Sequence, residues 1–202
     1  SGLFTSETGA TATFTVQLDT QPAADVTIPL SSDDVTEGTV LPASLTFTAA
    51  NWNIPQTVTI TGVDDALPDG SVSYNILTGL ATSADPFYNN FNAADVSVSN
   101  SDNETAGVTV QPLTGLITNE SGGTAVFTIV LNTLPTANVT IGLTSSDTTE
   151  GSVAPSVTFT PANWNLPQTV TVTGVNDNQI DGSIVYQVIT GATASSDGNY
   201  NN

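Results

Sequence analysis

The chain has 202 residues, 19 of them acidic, and no Lys, Arg or His. With no side chain to neutralise phosphate, nucleic-acid binding and electrostatic docking on anionic membranes are excluded. There is no Cys, which removes disulfides and thiolate metal sites, and no apolar run reaches the ~20 residues of a membrane span.

Apolar residues recur with period two along almost the whole chain, the spacing of half-buried strands. Thr5–Gly9 reads as a loop, and the first clear strand holds Phe14, Val16 and Leu18 between Thr13, Thr15 and Gln17. Val26, Ile28 and Leu30 predict the next, followed by Leu45 and Phe47, Val58 and Ile60, Val72, Tyr74 and Ile76, and Val96 and Val98. Turn residues Pro22, Gly38, Pro42, Pro55, Gly70 and Pro86 separate them. Val108 and Val110 predict a further strand, and no segment shows helical spacing. Seven short strands with regular turns predict an immunoglobulin-like sandwich.

The pattern then repeats, with Val108 and Val110 as the opening strand of the second copy. Asn51-Trp52-Asn53-Ile54-Pro55-Gln56-Thr57-Val58-Thr59-Ile60-Thr61-Gly62-Val63-Asp64-Asp65 returns as Asn163-Trp164-Asn165-Leu166-Pro167-Gln168-Thr169-Val170-Thr171-Val172-Thr173-Gly174-Val175-Asn176-Asp177. Glu7 aligns with Glu120, Phe14 with Phe127, Asp34 with Asp147, Tyr74 with Tyr186 and Tyr88 with Tyr200, a period of 112 to 113 residues. A period near ~100 residues suits one sandwich per copy and is too long for a solenoid repeat of ~20 to 50. The predicted fold class is therefore all-β, two tandem immunoglobulin-like sandwiches in an elongated rod. The expected domains are residues 1–103, lacking a first strand, and 104–202, lacking a last one. Ser1 aligns with Thr114 and Asn202 with Asn90, so the expectation is a window from a longer tandem array.

With strands alternating in direction, loops distant in sequence deliver acids to one pole of each copy. Glu7, Asp33, Asp34, Glu37, Asp64, Asp65, Asp69, Asp102 and Glu104 go there in the first copy; Glu120, Asp147, Glu150, Asp177 and Asp181 go there in the second. Two carboxylates ~4 Å apart repel by ~4 kcal/mol at an effective dielectric of ~20. An oxygen-only donor set of this kind suits Ca²⁺ and suits Zn²⁺ or copper poorly. The candidate ligands are Glu7, Asp34, Asp64, Asp65, Asp69 and Asp102, then Glu120, Asp147, Asp177 and Asp181. Ser146 in place of Asp33 and Asn176 in place of Asp64 predict a weaker second site.

Ser6-Glu7, Gly62-Val63-Asp64-Asp65 and Ser99-Asn100-Ser101-Asp102-Asn103 resemble a Calx-beta-type repeat, and the chain is also similar to tandem sandwich repeats of large bacterial surface or fibril proteins. The resemblance implies Ca²⁺ held at the domain tip by Glu7, Asp34, Asp65 and Asp102, and by Glu120, Asp147 and Asp177. Asp102-Asn103-Glu104 departs from the usual run of Asp.

Other signals are weaker. Trp52, Phe87, Tyr88 and Phe91 gather at the opposite pole, either as a sugar-stacking platform or, by preference, as packing residues. Asn103, Asn119 and Asn138 head Asn-X-Ser/Thr sequons and are the candidate glycosylation sites. Without His, Cys or Lys, only paired carboxylates remain for catalysis, and acids on exposed loops repeated in both copies do not suit that chemistry. The expectation is not an enzyme but a structural segment of an extracellular, cell-surface stalk or fibril, stiffened by Ca²⁺, with neighbouring repeats as partners and glycans as candidate decoration. The alternative is an adhesin or carbohydrate-binding repeat.

Overall fold

Thr alternating with Val, Ile or Phe suits a pleated surface buried on one side, and such segments form the strands of the computed structural model, which describes residues 2–201. Every element is a strand except one 3₁₀ turn at Gly198–Tyr200, among the described residues. The chain divides into two compact units, Ser1–Asp65 with Asp69–Asn103, and Ala66–Pro68 with Glu104–Asn202.

The first unit contains β1 (Leu3–Ser6), β2 (Thr11–Val16), β3 (Val26–Ser32), β4 (Gly38–Leu41), β5 (Ser44–Phe47), β6 (Gln56–Gly62), β7 (Val72–Thr78), β8 (Thr82–Ser83) and β9 (Val96–Ser101). One sheet runs β1-β9-β7-β3-β5, with β8 also on β3; the other runs β2-β6-β4. The inward residues of the two sheets share a core. Val26, Ile28 and Leu30 of β3 and Leu45 and Phe47 of β5 meet Val58 of β6, and Ile60 meets Tyr74, Ile76 and Val98.

The second unit contains β10 (Val108–Gln111), β11 (Thr124–Leu131), β12 (Val139–Ser145), β13 (Gly151–Val153), β14 (Ser156–Phe159), β15 (Gln168–Gly174) and β16 (Val188–Ala194). Its sheets run β10-β11-β15-β13 and β14-β12-β16. Phe127, Ile129 and Leu131 of β11 and Val170 and Val172 of β15 pack on Val139, Ile141 and Leu143 of β12 and on Phe159. Equivalent strands keep the same burial rhythm: β3 and β12 both alternate buried and outward residues in the same order.

Two strands of the first unit depart from the periodicity reading. The segment read as the Thr5–Gly9 loop begins inside β1, which pairs parallel with β9 rather than antiparallel. Four residues are too few to show alternation, and β1 is defined by its pairing with β9. Gly38, read as a turn residue, opens β4. A Cβ at Gly38 would collide with the Tyr74 ring, and one at Gly151 would collide with the Tyr186 ring in the same way. The glycine is there to admit the aromatic ring, not to bend the chain.

At the far pole Trp52 and Tyr88 pack against the core. The Tyr88 hydroxyl donates to the Thr20 carbonyl at 2.7 Å, and Tyr200 does the same to Thr133 at 3.0 Å. These aromatics close the sandwich corner, while Phe87 and Phe91 stay exposed.

Adding a methyl at Gly38 overpacks a site with no room, so Gly38→Ala should cost ~1–3 kcal/mol. The expected result is a lower urea midpoint for the first unit with the second unit's transition unmoved. An unchanged midpoint would mean that the Tyr74 ring is free to give way.

Candidate metal centre

Each acidic side chain must find N–H groups, hydroxyls, water or a cation, because the sequence provides no positive side chain. Some are satisfied locally. Asp34 Oδ1 accepts from Thr36 N–H at 3.0 Å and from the Thr36 hydroxyl at 2.6 Å, and Asp147 repeats the turn with Thr149 at the same distances. The Thr149 bonds hold the Asp147 carboxyl below the ordinary carboxylate range. Asp85 accepts from the N–H groups of Ala23 and Phe87, and Asp197 from those of Thr136 and Asn199. Burial pushes the Asp197 carboxyl up, but the N–H groups outweigh it and the net direction is down.

Others are gathered instead. Glu37, Asp65 and Asp69 each offer a carboxylate oxygen, all within 4.8 Å of one another, and Glu150, Asp177 and Asp181 do so in the second unit. The two groups are equivalent in the repeat. Two stretches of chain build each one. Glu37 sits just before β4, where Val63 N–H bonds to its carbonyl at 3.0 Å; Val175 N–H bonds to that of Glu150 at 2.9 Å. Asp65 and Asp177 follow the ends of β6 and β15. Asp69 and Asp181 precede Gly70 and Gly182, which take φ of +79° and +81°, a left-handed conformation that glycine adopts without strain. In the first unit Glu7 and Asp102 also bring carboxylate oxygens within 4.8 Å of each other.

Glu37 is buried, and burial pushes its carboxyl up from the ordinary value. The Asn100 side-chain amide, donating at 3.3 Å, works against that, while the charges of Asp69, Asp34 and Asp65 add to it. Glu150 is raised in the same way, by burial first and then by Asp181, Asp177, Asp147 and Glu120. In both units this glutamate has the electrostatic position that a cation would relieve most.

The donor set suits Ca²⁺. Oxygens at ~2.4 Å from that ion stand up to ~4.8 Å apart, whereas Mg²⁺ keeps several waters and takes only one or two carboxylates. The sequence-derived candidates therefore separate. Asp65 and Asp69 fall in one group, Asp177 and Asp181 in its counterpart, and Glu7 with Asp102. Asp34, Asp147 and Glu120 lie outside these groups, though close enough for their charges to act on Glu37 or Glu150. Asp64 lies outside as well, and accepts from the Asn103 side chain at 3.4 Å. Asp177 is already engaged, taking the Gln179 N–H and side-chain amide at 2.9 and 3.0 Å. Of the sequon asparagines, Asn119 Oδ1 accepts from Ser121 and Gly123 N–H and is part of its turn.

The sequence places Glu37 and Glu150 at the pole without marking them as ligands. The signal is nevertheless present: Thr36-Glu37-Gly38 recurs as Thr149-Glu150-Gly151, with an acid fixed against the glycine that faces the tyrosine ring.

No protein-family model and no curated protein sequence matches the chain. Among solved structures it is similar to CBD12 from CALX1.2, at 12% identity and a TM-score of 0.40 over 95% of this chain and 77% of that one. It is also similar to the YadV chaperone, at 11% identity and 0.36 over 96% and 97%, and to domains 5–6 of the S-layer protein SbsC, at 18% identity and 0.28 over 96% and 91%.

A raised carboxyl binds its proton more tightly when folded than when unfolded. Its contribution to stability is therefore full below the ordinary glutamate value of 4.5 and is lost as pH rises through the higher folded value. In chelator, stability should rise as pH falls from neutral toward that range. Glu37→Gln should raise the first unit's melting temperature at pH 7 and flatten its pH profile. A lower melting temperature in that variant would show that the ionised carboxylate is not under strain.

Proposed function

We propose that this chain is a structural repeat segment of an extracellular stalk or fibril, and that Ca²⁺ bound by the carboxylate group of each unit stiffens it. The observation that carries this reading is the recurrence of one Glu-Asp-Asp group, Glu37/Asp65/Asp69 and Glu150/Asp177/Asp181, in a protein with no cationic side chain. Carboxylates gathered in both copies repel one another, and a divalent cation is the partner that relieves them together. Glu37, Asp65 and Asp69 would be the protein ligands in the first unit, with Glu7 and Asp102 as a second pair. An ion there would tie the segment before β4 to the loop between β6 and β7, removing the loop's freedom. CBD12 of CALX1.1 is named as a calcium binding domain, and SbsC as an S-layer protein; the proposal rests on the carboxylate groups rather than on that likeness. The repetition of acids on loops, with no His, Cys or Lys beside them, supports a structural rather than a catalytic role.

Thermal melting in chelator and in ~1 mM calcium, the affinity class of extracellular modules, tests the reading. Calcium should raise the melting temperature of both units by several degrees. Asp65→Ala should abolish the shift in the first unit only and Asp177→Ala in the second only. The second unit should need more calcium, because Asp177 must release Gln179 and Asn176 replaces Asp64. No shift in the wild-type protein would sink the proposal.

A further inference from the structure

Asn103, Asn119 and Asn138 each head a sequon, and the fold treats their side chains differently. The Asn103 amide donates to Asp64 Oδ1 at 3.4 Å, and its backbone N–H donates to Glu7 Oε2 at 3.0 Å. Asn119 Oδ1 accepts from the N–H groups of Ser121 and Gly123 at 3.0 and 3.1 Å. A Cβ at Gly123 would collide with the Asn119 amide nitrogen, so the atom that would carry a sugar lies against the backbone. Asn138 is exposed, and its side chain has no hydrogen-bond partner among the described residues.

The local fold holds Asn138 in that state. Val139, the first residue of β12, is fully buried. Side chains alternate along a strand, so Asn138 and Thr140 point outward together, and the amide and hydroxyl of the sequon share one face. The turn before Asn138 is pinned, with Thr133 N–H donating to the Tyr200 hydroxyl at 3.1 Å and Thr136 N–H to Asp197 Oδ2 at 2.7 Å. Asp25, the same position in the first unit, is exposed as well, so the openness belongs to this turn of the repeat. Asp25-Val26-Thr27 becomes Asn138-Val139-Thr140, and the exchange of Asp for Asn creates the sequon. Charge also separates the three sites. Glu104 and Glu120 follow Asn103 and Asn119, whereas Val139 follows Asn138. A sugar donor carried on a diphosphate is repelled by a carboxylate beside the acceptor.

We propose that Asn138 is an acceptor site for an N-linked glycan, and that it is preferred over Asn103 and Asn119. The co-reactant is a sugar activated on a diphosphate carrier, brought by a transferase that reads Asn-X-Thr. Asn138 Nδ2 forms the bond to the anomeric carbon, and the bond from that carbon to the diphosphate oxygen breaks. The diphosphate leaves with the electron pair, and one Nδ2 proton passes to a base of the transferase. The glycan then stands outside the sandwich, as a bulky and solubilising group must. β12 runs from Asn138 toward Asp147, so the site lies at the opposite end from the carboxylate group and is independent of the metal reading.

The test secretes the intact chain from a eukaryotic cell line, whose transferase reads this sequon. Occupancy is mapped by mass spectrometry after a glycosidase that leaves Asp at each modified Asn. Glutamyl endopeptidase and chymotrypsin supply the peptides, because the chain has no Lys or Arg for trypsin. Most chains should carry a glycan at Asn138, with lower occupancy at Asn103 and Asn119. Asn138→Gln and Thr140→Val, which keeps the asparagine, should both abolish it while the chain remains folded. Enzymatic removal of the glycan should leave the second unit's melting temperature unmoved, a readout that a sugar forced into a packed turn would shift upward. An unoccupied Asn138, occupancy at Asn103 or Asn119 equal to or above it, or a higher melting temperature after sugar removal overturns the proposal.

Discussion

Everything at the acidic pole follows from one constraint: the chain has carboxylates and no cationic side chain to meet them. Electrostatics inside each unit is therefore a contest between repulsion and the N–H and hydroxyl donors that the fold can aim. Where a turn directs such donors at an acid, as at Asp34, Asp147, Asp85 and Asp197, the charge is accepted and the turn is fixed. Where the acid sits behind a strand end, as Glu37 and Glu150 do, burial and neighbouring charge leave the ionised form strained. The first class holds loops in place without help. The second is relieved by a proton or a metal ion.

That division also explains why the strands look as they do. Thr is the common outward residue, and it pairs across strands through hydroxyls, as between Thr27 and Thr46 or Thr140 and Thr158. A surface built this way needs no ion pairs. Stability rests on the shared core of the two sheets, where Phe47, Val58 and Ile60 are fully buried in the first unit and Ile129, Val139 and Phe159 in the second. The loops are then free to carry charge, because the core does not depend on them.

Much of this is legible in the sequence. Alternation locates the long strands because each buries one face, and the internal repeat locates equivalent loops because the same acids return at the same offset. The short elements are not legible. β1 has its alternation hidden in four residues and forms through parallel pairing with a strand far along the chain, and β4 is masked by Gly38, whose role is to leave space for Tyr74. The acidic pole is legible as a set of loops, but not which oxygens converge. Asp34 and Glu37 stand within one turn of chain, and only the fold shows one turned to Thr36 and the other turned toward Asp65 and Asp69. Sequence spacing gives the loop; the direction of the side chain comes from the hydrogen bonds that compete for it.

In the first unit the core and the acidic pole meet at β9. It lies against β7, and Tyr74, Ile76 and Glu37 are all buried there. Asn100 is the link. It is buried, and its amide joins Thr5, Val63 and Glu37, so the strand that closes the hydrophobic core also supplies a polar partner to the raised glutamate. Core closure and pole electrostatics are thus set by one strand. The donated hydrogen bond lowers the cost of the charged carboxylate that burial and the neighbouring acids raise.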